Sequence, residues 1–347
     1  MTLPANRLAS DLLMSGLKDN LFLACATKVV RNGHIEFQAT NGVIDPRFPE
    51  LETSYHTLFD LASITKIFTA TCFMQFVSEG MIDIDSPVSL VLPQFNEGNR
   101  EKVTFRHLLT HTSGLPASFN LYEHQEWNRG KHYVVHKLLS TQLINIPGKE
   151  VLYSCLGFLL LGYAMEVISG RNLSELMNSM LEPLGLANDI LFKPALNRRD
   201  IAITTYNRPN RGNLLPGVVH DGNAIAFDGG IAGNAGLFGS IAGLSGFGER
   251  FLEEDILPGE LYRQMVSPQA VTGNNRRGLG WKLHSPMADD AGRYLSLTSF
   301  GHSGFTGTSL WIDPQRKLAI TLLTNSVYFY KSSQDTSRFH AFCAQLH

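Results

Sequence analysis

Residues 61–66 contain a serine and a lysine at a spacing that can perform chemistry. Ser63 and Lys66 are three positions apart, at the start of a long apolar stretch. Residues at this spacing lie on one face of a helix, a turn from each other, so the two side chains can touch without help from the rest of the fold. A serine hydroxyl becomes an effective nucleophile when a neighbouring base removes its proton. The pair is therefore a candidate nucleophile and base.

Lys66 can act as a base only if its pKa is lowered. A free lysine has a pKa of ~10.4, and lowering this value to about 7–8 takes on the order of 4 kcal/mol from burial or from an adjacent positive charge. The apolar residues that surround Lys66 in the sequence favour burial. The alternative for the tetrad alone is a surface lysine on an otherwise buried helix.

Two further segments carry groups that an acyl-transfer site needs, namely a proton carrier and donors for an oxyanion. Tyr153 lies just before an apolar helical run, and its phenol can carry protons if a cation favours the phenolate. The glycine-rich segment 301–308 leads into a strand, and its main-chain N–H groups can point at a carbonyl oxygen. Taken alone, each segment has a simpler interpretation, a tyrosine packed at a helix entrance and a tight turn.

The elements at the chain start are an opening amphipathic helix over residues 5–18 and a hairpin centred on Asn32-Gly33, which joins two β-prone runs. The helix that carries Ser63 is expected to run to about Glu79 and to stop at Gly80. Because its apolar residues surround most of the helix, we expect burial on most sides.

The middle of the sequence is dominated by helical patterns, whereas β-prone runs return near the end. The expected helices are 104–111, 132–141, 155–169, 173–182 and 241–252, the expected late strands are 278–284, 294–299, 308–313 and 317–324, and a closing helix is expected at 339–346. We therefore expect a discontinuous α/β domain formed by 1–85 and 264–347, with a mainly helical domain over 86–263 inserted between them.

In this order, the three elements resemble the signature of the penicillin-recognising serine hydrolases, a group with class C β-lactamases, D-alanyl-D-alanine carboxypeptidases and related esterases. The signature is Ser-x-x-Lys, then Ser-Asp-Asn or Tyr-x-Asn, then Lys-Thr-Gly or His-x-Gly. This sequence has Ser63-Ile64-Thr65-Lys66, Tyr153-Ser154-Cys155 and His302-Ser303-Gly304. Stretches 59–62, 108–116, 232–238 and 311–314 also resemble the family.

The resemblance implies an α+β fold of the β-lactamase/transpeptidase-like type, in which helices flank an antiparallel sheet and a mainly helical domain is inserted. It implies that Ser63 is acylated, that Lys66 takes the serine proton or provides its field, and that Tyr153 relays protons to the leaving group. Which of Lys66 and Tyr153 is the base stays open. His302, Ser303 and Gly304 would contact the substrate, and the N–H groups of Ser63 and Phe305 would form the oxyanion hole.

Two positions depart from the pattern. Cys155 stands where class C enzymes have an asparagine, and a thiol is a poorer hydrogen-bonding group. His302 replaces a lysine, so the positive charge of the site near neutral pH becomes conditional. Both changes weaken the expected grip on a carboxylate-bearing β-lactam or D-alanyl peptide, and they affect a neutral ester less.

Composition excludes several other classes of function. The chain has 347 residues, a formal net charge of −2 and no dense block of Lys or Arg, which excludes electrostatic binding to nucleic acid or membrane. Charged residues break the first 20 positions before any signal-like apolar core forms. The four cysteines are widely spaced, so we expect reduced thiols in a cytoplasmic protein.

His107 and His111 lie at i and i+4, as in a zinc-binding helix, but the glutamate of that motif is missing, so we expect helix and loop structure there. We therefore predict a serine hydrolase without metal or cofactor. It acts on small esters or amides through an acyl-Ser63 intermediate, with β-lactams as further candidate substrates. The alternatives are a D-alanyl-D-alanine carboxypeptidase or class C-type β-lactamase, and a non-catalytic scaffold or binding module. The sequence leaves the natural substrate and the oligomeric state open.

Overall fold

The computed structural model describes residues 3–119, 121, 129–195, 197–203, 216–285, 292 and 294–329. The main element is an antiparallel sheet of eight strands, in the order β2-β1-β11-β10-β9-β8-β7-β6. Its strands are β1 (Ala24–Arg31), β2 (His34–Gly42), β6 (Ala270–Thr272), β7 (Asn275–Arg277), β8 (Lys282–Leu283), β9 (Phe300–Gly304), β10 (Thr308–Asp313) and β11 (Leu318–Thr324).

The first hairpin and the late strands meet in this sheet. β1 pairs with β11 over its whole length, with Cys25 opposite Thr324 and Arg31 opposite Leu318. The predicted turn at Asn32-Gly33 is confirmed, because it joins β1 to β2 and both residues have the positive φ that such a turn needs. The expected division into domains 1–85 with 264–347 and 86–263 stays a prediction.

Helices cover both faces of the sheet and fill the middle of the chain. They are α1 (Leu3–Lys18), α2 (Thr65–Ser78), α3 (Phe105–Leu109), α4 (Gly130–Ser140), α5 (Cys155–Ser169), α6 (Leu173–Leu181), α7 (Gly222–Asp228), α8 (Ile241–Leu252) and α9 (Gly259–Val266). α8 packs against β1, β10 and β11. On the other face, Leu13 of α1 joins Trp311, Ile320 and Leu322 in a separate apolar cluster. The fold is thus the expected α+β type, and α7 and α9 were not predicted.

A second, three-stranded sheet takes two of its strands from the part of the chain expected to be helical and one from the segment before it. Its strands are β3 (Phe59–Asp60), β4 (Ile190–Phe192) and β5 (Leu237–Gly239), in the order β3-β5-β4. Strands of two or three residues are too short to show the alternation of apolar and polar residues that predicts a strand. This small sheet matters for the site, because β3 leads directly to Ser63.

Two predicted strands at the end of the chain are wrong in extent. The run 294–299 forms turns, because Asp313 accepts hydrogen bonds from the N–H and the hydroxyl of Ser296. The Ser296 N–H is thereby bonded to a side chain 17 positions away and is not available to a sheet ladder. The strand begins instead at Phe300, so that residues 301–304 belong to β9 and only 305–307 form the turn before β10. The predicted strand 278–284 is reduced to β8.

The apolar run that begins at Cys155 is a buried helix, as predicted. Most of α5 is inaccessible, and it packs against α2, α3, α4 and α6. Among the described helices, no segment is long and apolar enough to cross a bilayer. The predicted closing helix at 339–346 and the fourth cysteine, Cys343, lie outside the described residues.

Candidate active site

Ser63 lies in a short 3-10 helix, Ala62–Ile64, directly before α2. The preceding residue, Ala62, has a φ of 47° in the left-handed region, where a side chain is disfavoured. This conformation is held in place because the Ala62 N–H donates to Oδ1 of Asp60 at 2.9 Å, and the Leu61 N–H donates to the Leu237 carbonyl at 2.9 Å. The Ser63 side chain is thereby presented at a half-buried position.

Lys66 lies one turn along, within the first turn of α2, and its side chain is completely buried. Its Nζ donates to Oγ of Ser63 at 3.0 Å and to the main-chain carbonyl of Asn234 at 2.8 Å. The predicted helical contact between Ser63 and Lys66 therefore exists, and the interpretation of Lys66 as a surface lysine is excluded.

The pKa of Lys66 moves in the direction opposite to the expected one. Burial lowers it, but attraction to the anionic forms of Cys155 and Tyr153 outweighs burial, so that the pKa of Lys66 lies above its ordinary value. The lysine is then an ammonium ion at neutral pH. This protonation state suits a group that stabilises negative charge and not one that removes a proton.

Tyr153 and Cys155 reach the site from the loop that precedes α5. The centre of the Tyr153 ring is 5.0 Å from Nζ of Lys66, and both Tyr153 and Cys155 are half-buried. Between them, Ser154 caps α5 by accepting from the Gly157 N–H at 3.2 Å, and its hydroxyl donates to the Pro116 carbonyl at 2.6 Å. The fold thus joins the first two sequence elements around one ammonium ion.

His302, on β9, is buried and does not replace the charge of a motif lysine. Burial first, and then the nearby Lys66 and Arg277, lowers the pKa of His302 to about 3, so the ring is neutral. Its Nδ1 lies 2.8 Å from the Ser303 carbonyl and therefore carries the proton. Nε2 is then a hydrogen-bond acceptor, and it has no partner among the described residues. A motif lysine would present a donor instead.

The remaining residues of the third element lie against the segment that leads to Ser63. A Cβ atom at Gly304 would come within 2.5 Å of the Leu61 carbonyl oxygen, so only glycine permits this approach. Beyond it, the hydroxyl of Thr306 donates to the Asp60 carbonyl at 2.6 Å and that of Thr308 to the Leu61 carbonyl at 3.1 Å. Ser303 is half-buried, and Phe305 at the turn is 59 % exposed and stacks on His220.

The sequence profile of the beta-lactamase family matches residues 17–344, nearly the whole chain. The chain belongs to the beta-lactamase family. The protein is a serine hydrolase of the beta-lactamase type, and its relatives include proteins named D-alanyl-D-alanine carboxypeptidase.

Relatives of this beta-lactamase-family protein carry different activities in their names. A protein of Bacillus subtilis named N-acetylmuramyl-L-alanine amidase is 31% identical over 310 residues, which span 78% of this chain and 68% of the relative. A putative D-alanyl-D-alanine carboxypeptidase of Salmonella agona is 29% identical over 345 residues, which span 86% of this chain and 77% of the relative. The solved structure of EstCE1, described as a hydrolase with promiscuous acyltransferase activity, has a TM-score of 0.76, 18% identity and 98% coverage of both chains, which shows a common fold.

Three residues of the site in this beta-lactamase-family chain were not singled out as site residues from the sequence. Asn234 contributes its carbonyl to Lys66, and it lies within a stretch, 232–238, that already resembled the family. Arg277, on β7 and 7% exposed, has its guanidinium carbon 5.6 Å from the Tyr153 ring centre. Its sequence surroundings carry no signal, because β7 reaches the site only through its pairing with β8, which in turn pairs with β9.

The third missed residue is His111, whose ring centre lies 4.5 Å from that of Tyr153. The pair His107 and His111 does not act as a unit. Nδ1 of His107 accepts from the Thr104 N–H in the N-terminal cap of α3, whereas Nδ1 of His111 accepts from the Ser154 N–H. The prediction of helix and loop structure at these positions is confirmed, and the cap explains the first histidine.

Proposed function

We propose that this protein hydrolyses small esters or amides through an acyl-enzyme formed on Ser63. The observation that carries the proposal is the convergence on one ammonium ion. Nζ of Lys66 is 3.0 Å from Oγ of Ser63 and 5.0 Å from the ring centre of Tyr153. A nucleophile and a proton carrier that share a cation form the arrangement that activates a serine for acyl transfer.

The proposed reaction begins when Oγ of Ser63 bonds to the substrate carbonyl carbon and its proton passes to the phenolate oxygen of Tyr153. The carbonyl electron pair moves to the substrate oxygen, which accepts hydrogen bonds from the N–H groups of Ser63 and Phe305. Collapse breaks the bond to the leaving group, which takes the proton from Tyr153. Water then adds to the acyl carbon along the same path and releases Ser63.

The raised pKa of Lys66 supports different roles for Lys66 and Tyr153 in this reaction. Lys66 stays an ammonium ion, stabilising the phenolate of Tyr153 and orienting Oγ of Ser63. Tyr153 is then the proton acceptor. The substrate side is lined by Cys155, the neutral His302, Ser303 and Gly304. The Cys155 thiol is a weaker hydrogen-bonding group than an asparagine amide, so it requires fewer polar groups on the substrate.

Burst kinetics with p-nitrophenyl acetate and with nitrocefin, followed by intact mass, tests the proposal. We expect a stoichiometric burst and an acyl adduct on the wild type, and neither of them in Ser63→Ala. Ser245→Ala, which alters a buried serine of α8 bonded to Glu249, is the matched control and should keep the burst. A wild type without an adduct, or a burst that survives Ser63→Ala, contradicts the proposal.

A second candidate, a carboxypeptidase-type activity, is favoured by Arg277. The neutral His302 removes one cation from the site, but the buried guanidinium of Arg277 beside Tyr153 supplies another. A guanidinium recognises a carboxylate through two parallel hydrogen bonds. The substrate of this second candidate would therefore be a peptide or β-lactam with a free carboxylate next to the scissile bond.

Paired substrates separate the two candidates. We compare release of D-alanine from an acylated D-Ala-D-Ala peptide with release of D-alaninamide from its C-terminal amide, in wild type and in Arg277→Gln. A preference for the free carboxylate that falls roughly 10-fold to 100-fold in Arg277→Gln supports the carboxypeptidase. Equal rates on both peptides, with p-nitrophenyl acetate cleaved in both proteins, support the esterase.

A further inference from the structure

His111 follows α3 and is enclosed among groups of the site. Its side chain is 2% exposed, and its ring lies against those of Tyr153 and Phe158, with centre distances of 4.5 Å and 5.2 Å. The reaction proposed above makes no chemical use of this histidine. Such a buried polar ring beside a proton carrier requires an explanation.

Hydrogen bonds from both sides of Tyr153 converge on His111. The N–H of Leu152 donates to the main-chain carbonyl of His111 at 2.8 Å, and the N–H of Ser154 donates to its Nδ1 at 3.1 Å. The residues that immediately precede and follow Tyr153 are thus bonded to one residue, whose ring also packs on the phenol. The two hydrogen bonds restrict the main chain on both sides of Tyr153, and the ring contact restricts its side chain.

The backbone of His111 adds to this picture. Its φ is 59°, in the left-handed region that most residues with side chains avoid. A strained conformation persists where its surroundings determine it, and here the Thr112 N–H bonds to the His107 carbonyl at 2.9 Å across the turn. In this conformation both the main-chain carbonyl and Nδ1 of His111 face the same loop segment, Leu152 to Ser154.

The ring of His111 is neutral in this environment. Burial first, and then the positive charges of Arg277 and Lys66, holds the pKa of His111 well below its ordinary value. Because Nδ1 accepts from Ser154, the single proton lies on Nε2. The ring therefore keeps its acceptor for Ser154 throughout the working pH range and does not serve as a general base.

We infer that His111 is a positioning residue, which holds the phenol oxygen of Tyr153 in line with Ser63 and Lys66. The inference rests on the proposed acyl-transfer function. Loss of the Nδ1 bond frees Ser154 and loosens Tyr153, and a displacement of about 1 Å in a reacting group can cost on the order of 100-fold in rate. The acylation rate constant should fall while the dissociation constant of the non-covalent substrate complex changes little, since His111 lies behind the phenol.

Two substitutions at His111 separate the effect of losing the Nδ1 acceptor from the effect of the positive φ. His111→Gly removes the acceptor and accepts a positive φ without cost. His111→Asn also tolerates a positive φ, and its Oδ1 can accept from the Ser154 N–H. We expect the acylation rate constant with p-nitrophenyl acetate to fall roughly 100-fold in His111→Gly and about 10-fold or less in His111→Asn. The dissociation constant of the non-covalent complex, taken from the substrate dependence of the burst rate, should stay within about 3-fold of the wild type in both variants.

Amide hydrogen exchange provides a readout that does not depend on catalysis. The Ser154 amide should exchange faster in His111→Gly and stay protected in His111→Asn. The Leu152 amide should stay protected in both variants, because its acceptor is the main-chain carbonyl. Thermal unfolding verifies that each variant is folded. If His111→Gly does not fold, the Asn variant still decides, since it must retain both the Ser154 protection and most of the acylation rate.

The outcomes distinguish this inference from the function on which it rests. A wild type that forms no adduct overturns the proposed function, while exchange at Ser154 still shows whether His111 holds the Tyr153 segment. Unchanged Ser154 exchange in a folded His111→Gly overturns the inference. Faster exchange with an undiminished acylation rate also overturns it, because the contact would then be structural only.

Discussion

The main-chain carbonyl of Asn234 accepts a 2.8 Å hydrogen bond from Nζ of Lys66, a residue 168 positions earlier in the chain. The neighbouring Gly233 carbonyl accepts from the Thr69 hydroxyl at 2.9 Å, so one loop is bonded to one face of α2. Because the partner of the lysine is a neutral carbonyl, the ammonium charge is oriented without being neutralised. It stays available to an anion that develops on Tyr153 or on the substrate.

Removal of this charge should abolish most of the activity. Lys66→Met keeps a similar volume, so we expect a folded protein in which kcat/KM for p-nitrophenyl acetate falls by on the order of 10³-fold. Lys131→Met is the control, because Lys131 is half-buried and pairs with Glu166 and Asp228 outside the site. Steady-state kinetics on both variants measures the effect. An active Lys66→Met would show that the cation is dispensable.

The phenol oxygen of Tyr153 should matter for rate and little for stability. In Tyr153→Phe the ring still packs against His111, but the proton carrier is lost, so we expect kcat/KM to fall about 10²-fold to 10⁴-fold. Tyr163→Phe is the control, because Tyr163 lies within α5 and packs against the core, and this variant should retain full activity. Stopped-flow acylation rates compare the two. Equal rates for both variants would remove Tyr153 from the mechanism.

The threonines that bond the β9–β10 turn to the Ser63 segment should affect the oxyanion hole. Thr306→Val and Thr308→Val each delete one hydroxyl-to-carbonyl bond, which lets the Phe305 N–H shift relative to that of Ser63. We expect kcat to fall roughly 10-fold in each variant with KM nearly unchanged.

Thr27→Val is the matched control for these threonines, because the Thr27 hydroxyl makes a similar 2.9 Å bond to the Thr321 carbonyl within the sheet. It should reduce stability by a similar amount, about 1 kcal/mol, without changing kcat. If all three variants lose stability and none loses kcat, the turn does not carry an oxyanion donor.

The neutral, buried His302 should make the protein less stable in acid. Its pKa of about 3 in the folded state lies below the ordinary value of ~6.5 in the unfolded chain, so the unfolded state binds more protons as the pH falls below ~6.5. Stability is then full above this pH and is lost progressively down to about pH 3, with a loss of roughly 2 kcal/mol at pH 5.

Urea unfolding at pH 7 and pH 5 measures this effect. His302→Gln cannot titrate, so its loss of stability between the two pH values should be smaller than that of the wild type by about 2 kcal/mol. His34→Gln, which alters an exposed histidine on β2, is the control and should follow the wild type. An identical acid response of His302→Gln and wild type would contradict the assignment of a neutral buried ring.

Much of the frame was predictable from the sequence because local geometry determines it. The spacing of Ser63 and Lys66 sets their contact by helical periodicity, and Asn32-Gly33 specifies its hairpin through backbone conformation. The length and apolarity of the run after Cys155 predicted a buried helix. Strands of two or three residues, such as β3 and β5, were missed because they carry no periodic signal. The run 294–299 forms turns because the side chain of Asp313, distant in the chain, binds Ser296.

The composition of the site depended on the tertiary structure. The sequence by itself determined which groups could react and in what order they occur, since these follow from residue type and spacing. Only the fold brought the Asn234 carbonyl, the Arg277 guanidinium and the His111 ring to Lys66 and Tyr153. It also decided the direction of the pKa of Lys66, because burial and the charges around an amine are sums over residues distant in the chain.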